Sequence, residues 1–324
     1  MKAATWSPRK RLQTKRMLRT IFRLFMRNQF RRVAVILILA ISSVLTLTAA
    51  RTECDQDFLC IHEEKTGDRV LLHAENPSPY PITYSLRVRA RNMTSGRPKT
   101  VTRTLLAHES HLIMTLSKKH KNARGKYRYD YDWTIGNQHA VHDDQYVYRM
   151  PYASGKSYRV IQGYGSRFSH TGLEQFATDF LMPEGTPVHA ARGGIVARLE
   201  EANTVGCWRA GCGAHANFVI ILHEDGTTGE YYHLQRDGAL VDVGDRIFAG
   251  QEIALSGNTG HTTIPHLHFA VYRAVDWGKT QSIEVQFDTA DGTIERTRRG
   301  GRYQATPLRQ ASGERASGRY HLTN

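Results

Sequence analysis

The chain has 324 residues, a length typical of about two domains, and its composition does not impose disorder. Its formal net charge of +14 is of the size found in proteins that bind nucleic acids. Residues 1–32, however, hold eleven Lys and Arg residues and no acidic residue, and the rest of the chain has 33 basic against 30 acidic residues, a net charge of only +3. The positive charge belongs to the N-terminal region, and a nucleic-acid partner is not expected.

An uncharged apolar segment at residues 33–50 follows the basic region. A positive flank, an apolar centre and small residues near the end (Thr48 and Ala50) are typical of an export signal. The segment also reaches the lower length limit of a membrane span, so a retained membrane anchor is the open alternative. In both cases the positive-inside rule predicts that the chain after residue 50 lies outside the cytoplasm, in the periplasm or cell envelope and either released or anchored in the inner membrane.

Four cysteines form two close pairs in the sequence, Cys54 with Cys60 and Cys207 with Cys212. An even number of cysteines in an exported chain favours disulfides. A cysteine zinc site is the alternative, but neither pair has the usual short spacing of metal-binding cysteines. We therefore predict two disulfides.

Residues 51–155 contain short runs rich in β-branched and aromatic residues, separated by turn clusters. Runs at 69–75, 82–88, 111–116 and 128–135 are typical of strands. They predict a β-sandwich-like accessory domain of about a hundred residues. This region gathers no set of catalytic residue types, and we expect it to position, cover or target the domain that follows.

A second group of strands is predicted within residues 156–288, after turn-like residues at 152–158. It includes runs at 218–222 and 230–234, joined by a hairpin turn at Asp225-Gly226. No long segment with a helical period follows residue 50, so the chain is predicted to be all-β, with a compact antiparallel domain after the accessory domain. Residues 289–324 are rich in Gly, Arg, Ser and Thr and are predicted to form a basic, disordered tail.

His266 and His268 are two residues apart in an alternating apolar segment. In a strand they would lie on one face, and buried imidazoles need hydrogen-bond partners or a metal. A catalytic zinc usually has three nitrogen or oxygen ligands and an open position for water, whose pKa it lowers from 15.7 to about 7. Together with His170 and Asp179, His268 would supply two imidazoles and one carboxylate, a common catalytic ligand set.

Several short motifs between residues 162 and 272 are similar to those of the lysostaphin-type zinc metalloendopeptidases, also called the LytM-domain family, which cut peptide bonds in peptidoglycan. The resemblance covers roughly a third of the chain. In chain order the motifs are Phe168-Ser169-His170, Phe176-Ala177-Thr178-Asp179-Phe180, Gly185-Thr186-Pro187-Val188, Tyr232-His233-Leu234, Val243-Gly244-Asp245, Ser256-Gly257-Asn258-Thr259-Gly260 and Pro265-His266-Leu267-His268-Phe269.

The resemblance implies a lysostaphin-like fold of the duplicated-hybrid-motif type, with the site in a groove between loops. It implies one Zn²⁺ per chain, held by His170, Asp179 and His268, with His233 and His266 as the catalytic histidines. Many family members place the first ligand histidine four residues before the ligand aspartate, whereas nine positions separate the two here. This longer spacing resembles a subgroup in which both ligands are retained.

The sequence therefore predicts an exported zinc metalloendopeptidase that hydrolyses cross-links or stem peptides of bacterial peptidoglycan. The alternative is a non-catalytic family member that binds the cell wall or activates another hydrolase. Such members commonly lose ligands, whereas this chain has a matching residue at all five positions. His223 and His261 are interpreted as solvated, His215 as a residue that could border the groove, and Glu174 and Glu230 as surface carboxylates. Residues 201–216 are interpreted as an inserted loop beside the groove.

Overall fold

The structure is a computed structural model, which describes residues 50–96 and 98–307. The predictions for residues 1–32 and for the apolar segment up to residue 49 lie outside the described residues. Among the residues that are described, no helix has both the length and the apolarity that a membrane crossing requires.

The first part of the described chain, up to residue 135, forms two antiparallel sheets. One sheet has five strands and the other has three. The strands are β1 (Ala50–Asp55), β2 (Leu59–Thr66), β3 (Arg69–Glu75), β4 (Ile82–Arg91), β5 (Met93–Thr94), β6 (Thr100–Leu105), β7 (Ser110–Lys118) and β8 (Lys126–Ile135). Their order is β1-β2-β3-β7-β5 in one sheet and β6-β4-β8 in the other.

These two sheets bury their apolar faces in one shared hydrophobic cluster. In β4, Ile82, Tyr84 and Leu86 share one strand face and enter this cluster, while Thr83 and Ser85 on the other face are buried as well. Leu72 of β3 and Ile61 of β2 enter the same cluster from the other sheet. Burial of alternate residues on both sheets therefore supplies the core of this region.

The rest of the described chain adds seventeen strands and two short 3₁₀ helices, Gly172–Glu174 and Cys212–His215. The strands are β9 (Val147–Arg149), β10 (Ser157–Gln162), β11 (Thr178–Leu181), β12 (Pro187–His189), β13 (Gly194–Glu200), β14 (Gly206–Cys207), β15 (Phe218–Leu222), β16 (Thr228–Tyr232), β17 (Leu234–Ala239), β18 (Arg246–Ile247), β19 (Glu252–Ser256), β20 (Gly260–His261), β21 (Leu267–Ala274), β22 (Thr280–Ile283), β23 (Gln286–Thr289), β24 (Gly292–Ile294) and β25 (Arg302–Gln304). The prediction of a nearly all-β chain is confirmed.

A nine-stranded sheet in the order β18-β13-β15-β16-β21-β11-β10-β25, with β22 also paired to β21, forms the centre of this second part. Its strand β15 is the apolar run at 218–222, and Val219 and Ile221 of that run are fully buried. The predicted hairpin between β15 and β16 is present, and Gly226 occupies its turn with φ of +82°. A positive φ favours glycine, which explains the Asp-Gly sequence at this turn.

The two parts of the described chain touch directly. Ala197 of β13 belongs to the hydrophobic cluster of the first two sheets, and the Tyr80 hydroxyl donates to the Val196 carbonyl at 3.3 Å. Strand β9 pairs in parallel with β23, and Tyr148 and Met150 are buried in the hydrophobic cluster of the second part. The predicted domain boundary near residue 155 stays a prediction.

Both predicted disulfides, Cys54–Cys60 and Cys207–Cys212, are present.

The prediction of a disordered tail is wrong for its first part. Strand β25 pairs with β10 at the edge of the central sheet, and Thr297 and Ala305 are only 1% and 5% exposed. The segment has few apolar residues, but main-chain pairing with an open sheet edge and burial of these two side chains are enough to order it. Residues 308–324 lie outside the described part of the chain.

Candidate metal centre

The centre is built on a row of residues that crosses four neighbouring strands of the central sheet. Gln162 of β10 pairs with Asp179 of β11, Asp179 with His268 of β21, and His268 with Tyr232 of β16. Residues directly opposite each other on antiparallel strands have Cβ atoms about 4.5–5.5 Å apart. The sheet register alone therefore brings Asp179 and His268 into contact, although 89 positions separate them in the chain.

His170 completes a cluster of three donor residues and comes from the loop between β10 and β11. Its Nε2 lies 3.2 Å from Oδ1 of Asp179, and Nδ1 of His268 lies 2.8 Å from the same oxygen. One donor atom from each of the three residues lies within 4.8 Å of the others. Two nitrogens and one carboxylate oxygen at such spacing suit a zinc ion with an open coordination position.

The hydrogen bonds of His170 favour a cation at this point. Its Nδ1 is 3.4 Å from the Gly163 carbonyl oxygen, which can only accept, so Nδ1 carries the proton. The Nε2 atom is buried and has no hydrogen-bond partner among the described residues, although Oδ1 of Asp179 is 3.2 Å away. Two lone pairs then face each other in a buried site, an arrangement that a metal ion between them would satisfy.

Electrostatics also favour positive charge in the cluster. Burial opposes ionisation of Asp179, but the imidazoles of His170 and His268 beside it hold its pKa well below the usual value. Burial would likewise lower the pKa of His268, but its contacts with Asp179 and Glu174 raise it to about 10. Without a metal, a proton on Nδ1 of His268 thus joins the imidazole to Asp179. A divalent cation would replace that proton, because a histidine ligand must be deprotonated at the coordinating nitrogen.

A second layer of polar groups fixes the orientation of two of the donor residues. Gln162 donates from Nε2 to Oδ2 of Asp179 at 2.6 Å, which leaves Oδ1 facing the imidazoles. The Tyr272 hydroxyl donates to Oε2 of Glu174 at 2.6 Å, so its oxygen accepts the Nε2–H of His268 at 3.0 Å. This chain of hydrogen bonds keeps the second proton of His268 on Nε2 and directs Nδ1 at the cluster, as carboxylate-linked partners do for metal-bound histidines.

The two remaining predicted histidines lie beside the cluster. The ring centroids of His233 and His266 are 4.5 Å apart, and Nε2 of His266 is 3.8 Å from Oδ2 of Asp179. The Nδ1 atoms of His233 and His266 lie 2.7 Å from the carbonyl oxygens of Thr259 and Ile264, respectively, so each Nδ1–H donates. Both rings therefore present an Nε2 that can accept a proton.

Burial keeps these two imidazoles neutral. It lowers the pKa of His233 to about 3, with a further electrostatic contribution from the neighbouring His266 and His268. Burial lowers the pKa of His266 too, and Asp179 partly opposes the effect. His233 lies between β16 and β17 with φ of +66°, a conformation that non-glycine residues rarely adopt and that clusters at functional sites.

All five predicted site residues meet in one place in the structure; their individual roles stay predictions. Four of them, Asp179, His233, His266 and His268, line a cavity of about 560 Å³. The cavity is large enough to take several residues of a peptide beside the donor cluster.

Sequence reasoning missed the residues that support the cluster. Glu174 accepts the Tyr272 hydroxyl, and Glu230 is only 3% exposed and accepts the Tyr232 hydroxyl at 2.7 Å, so neither is a plain surface carboxylate. The strand alternation carries a signal for Tyr272, because it is four residues after His268 and shares its strand face. Gln162 has no comparable signal, since its contact with Asp179 depends on strand pairing.

Two other histidines also differ from their prediction. His223 was expected to be solvated but is 3% exposed, because the β15–β16 hairpin packs it against the Gly193 carbonyl at 2.9 Å from Nδ1. His261 is exposed, as expected, yet it lines the same cavity as the donor cluster. The loop that carries His261 is brought there by parallel pairing with Gly206 and Cys207, which no local pattern indicates.

The fold places a His/Asp/His cluster and two neutral histidines beside an open cavity. These are the groups that a metal-dependent hydrolase uses. Residues 174–283 match the description "Peptidase family M23". This match identifies a peptidase M23 domain within the chain, and the similar proteins include peptidoglycan endopeptidases of the lysostaphin and LytM type.

Two curated relatives illustrate the match. Peptidoglycan DD-endopeptidase ShyA of Vibrio cholerae is 34% identical over 122 residues, which are 36% of this chain and 26% of ShyA. Glycyl-glycine endopeptidase ALE-1 of Staphylococcus capitis is 36% identical over 115 residues, 35% of this chain and 29% of ALE-1. The chain thus spans less than a third of the length of these relatives.

Among solved structures, the catalytic domain of lysostaphin from Staphylococcus simulans is 30% identical to this chain. The alignment covers 39% of this chain and 88% of that domain, with a TM-score of 0.30. The similarity to family M23 rests on the sequence match of residues 174–283.

Proposed function

We propose that this chain is an exported zinc metalloendopeptidase that hydrolyses peptide bonds in the cross-links or stem peptides of bacterial peptidoglycan. The match of residues 174–283 to family M23 supports a peptidase acting on peptidoglycan. The observation that carries the proposal is the convergence of three donor atoms within 4.8 Å of one another. A non-catalytic relative has no need of a complete donor set and of two further histidines held with Nε2 free.

The residues divide the reaction between them. A zinc ion held by His170, Asp179 and His268 would polarise the scissile carbonyl and lower the pKa of water to about 7. The neutral Nε2 of His233 or His266 accepts one proton from the attacking water as its oxygen bonds to the carbonyl carbon. The resulting imidazolium gives that proton to the amine as the C–N bond breaks, so no proton is gained or lost by the protein.

Export is the second part of the proposal. It rests on the basic and apolar residues before residue 50, and the two disulfides support it because disulfides persist in oxidising compartments. The apolar segment either is removed or anchors the protein, which would then act next to the membrane.

The experiment is digestion of intact peptidoglycan by the purified protein, with product masses identified by mass spectrometry. We expect fragments with newly formed amino and carboxyl termini, loss of the reaction on addition of a chelator, and recovery on addition of Zn²⁺. The non-catalytic alternative predicts that the protein sediments with peptidoglycan and releases no fragments. That outcome, obtained with zinc-loaded protein, would overturn the proposed hydrolysis.

A further inference from the structure

The outer part of the cavity has a chemical character that the donor cluster does not explain. Two exposed arginines, Arg167 and Arg299, line it together with exposed aromatic rings. Arg167 precedes His170 in the loop between β10 and β11, and Arg299 comes from the segment between β24 and β25. The two segments are joined directly, because the Tyr164 N–H donates to the Thr297 carbonyl at 3.3 Å. The Thr297 hydroxyl is also 2.7 Å from the Thr178 hydroxyl of β11.

Neither arginine has a counter-ion in the described part of the chain. No ion pair or side-chain hydrogen bond joins either guanidinium to another described residue. Of the described residues that line the cavity, Asp179 is the only acidic one, and it belongs to the donor cluster. The mouth of the cavity therefore carries two positive charges available to a ligand. Arginine pairs with carboxylates through two parallel hydrogen bonds, so its natural ligand here is an anion.

Three stacked rings form the neighbouring wall. Trp208 stacks on His261 with 4.0 Å between ring centroids and on Phe168 with 5.1 Å, with interplanar angles of 10° and 12°. Phe168 and Trp208 are 69% and 50% exposed, which is unusual for such large apolar side chains. Trp208 directly follows Cys207, whose disulfide to Cys212 closes the loop around it.

We propose that this mouth is a subsite for an acidic peptide, in which Arg167 and Arg299 bind a free carboxylate of the substrate and the stacked rings cover its apolar part. This inference rests on the proposed function. It specifies the substrate class, because an uncharged peptide such as a glycine-only bridge offers no charged partner for the two guanidiniums. Among peptides that contain the same type of scissile bond, a charge-assisted pair at each arginine would favour binding of those that carry a carboxylate.

The test compares two preparations of the same peptidoglycan, one native and one in which carbodiimide and ammonia have converted the carboxylates to carboxamides. We expect kcat/KM of the parent protein to be about tenfold or more higher on the native preparation, since a hydrogen bond to a charged group contributes about 1.5–3 kcal/mol. In the double variant R167Q/R299Q this preference should disappear, with activity on the amidated preparation and zinc content unchanged. Arg298→Gln, which changes an exposed neighbour outside the cavity lining, is the matched control.

Binding of soluble peptides released from each preparation, measured by calorimetry, separates the two proposals. A parent protein that cleaves neither preparation but binds native peptides at least tenfold more tightly than amidated ones contradicts the hydrolase and retains the subsite. Equal cleavage and equal binding of the two preparations would overturn the subsite. So would a double variant that keeps the full preference for the native preparation, or one that loses activity to the same extent on both.

Discussion

Asp179 and His268 occupy opposite positions on the paired strands β11 and β21, and Oδ1 of Asp179 lies 2.8 Å from Nδ1 of His268. Each of these strands is flanked by a further strand on its other side, so the pair lies in the interior of the sheet. Two of the three donor residues are therefore fixed by main-chain hydrogen bonds, and only His170 depends on a loop. A site on sheet strands holds its geometry better than one built on loops.

Replacing the carboxylate of Asp179 should remove the metal. We expect D179A to fall from about one bound zinc per chain, the content of a single three-ligand site, to almost none after dialysis, and to lose hydrolysis with it. The measurement is metal content by mass spectrometry alongside peptidoglycan digestion. Asp225→Asn is the control, because Asp225 pairs with Arg192 outside the cluster. A D179A protein with undiminished zinc would contradict the ligand assignment.

Changes at the two neutral histidines should separate metal binding from catalysis. H233A and H266A remove a proton acceptor but none of the three donor atoms, so each variant should keep its zinc. Loss of general acid–base catalysis typically slows a reaction by about 10²–10⁴-fold, and we expect kcat to fall within that range. His189→Ala removes a half-buried histidine bound to the Gly250 carbonyl and should change neither quantity. Parent-like cleavage by both variants would exclude them from the proton transfers.

The sequence predicted features that depend on neighbouring residues in one segment, and it missed features that depend on contacts between distant strands. The alternation around His266 and His268 and the apolar run of β15 are local patterns, and both predictions agree with the structure. The row from Gln162 to Tyr232 exists only because β10, β11, β21 and β16 are neighbours in one sheet. No spacing within a single segment encodes that order. The five site residues were found because a family resemblance supplied the long-range contacts that local patterns lack.

The ordered part of the C-terminal segment was missed for a related reason. Its composition is polar, and composition measures how much apolar surface a segment could bury by itself. The segment is instead ordered by an existing sheet edge at β10 and by two small buried side chains, Thr297 and Ala305. Arg299 was assigned to a solvated tail for the same reason, although it lines the cavity.

Removal of the Tyr272 hydroxyl should weaken metal binding without touching a ligand. In Y272F the Nε2–H of His268 loses its acceptor, so the tautomer that directs Nδ1 at Asp179 is no longer enforced. Loss of such a partner typically costs about 10–100-fold in metal affinity, and we expect a decrease of that size in competition with a coloured chelator. Y231F is the matched control, because Tyr231 is also fully buried but its hydroxyl accepts from the Ala191 N–H. Equal zinc affinity in the two variants would show that Tyr272 has no such role.

His223 should make the stability of the fold depend on pH. Burial lowers its pKa from 6.5 to about 4, and its Nε2 has no hydrogen-bond partner among the described residues. Below pH 6.5 the unfolded chain binds a proton that the folded chain excludes until about pH 4, so acidification through this window favours unfolding. The free energy of unfolding should fall by on the order of 3 kcal/mol from this group. Urea titrations in the presence of chelator at pH 6.5 and at pH 4 measure this decrease in the free energy of unfolding. In H223Q the decrease should be smaller by the contribution of His223. An equal decrease in the parent and the variant would show that other groups cause the pH dependence.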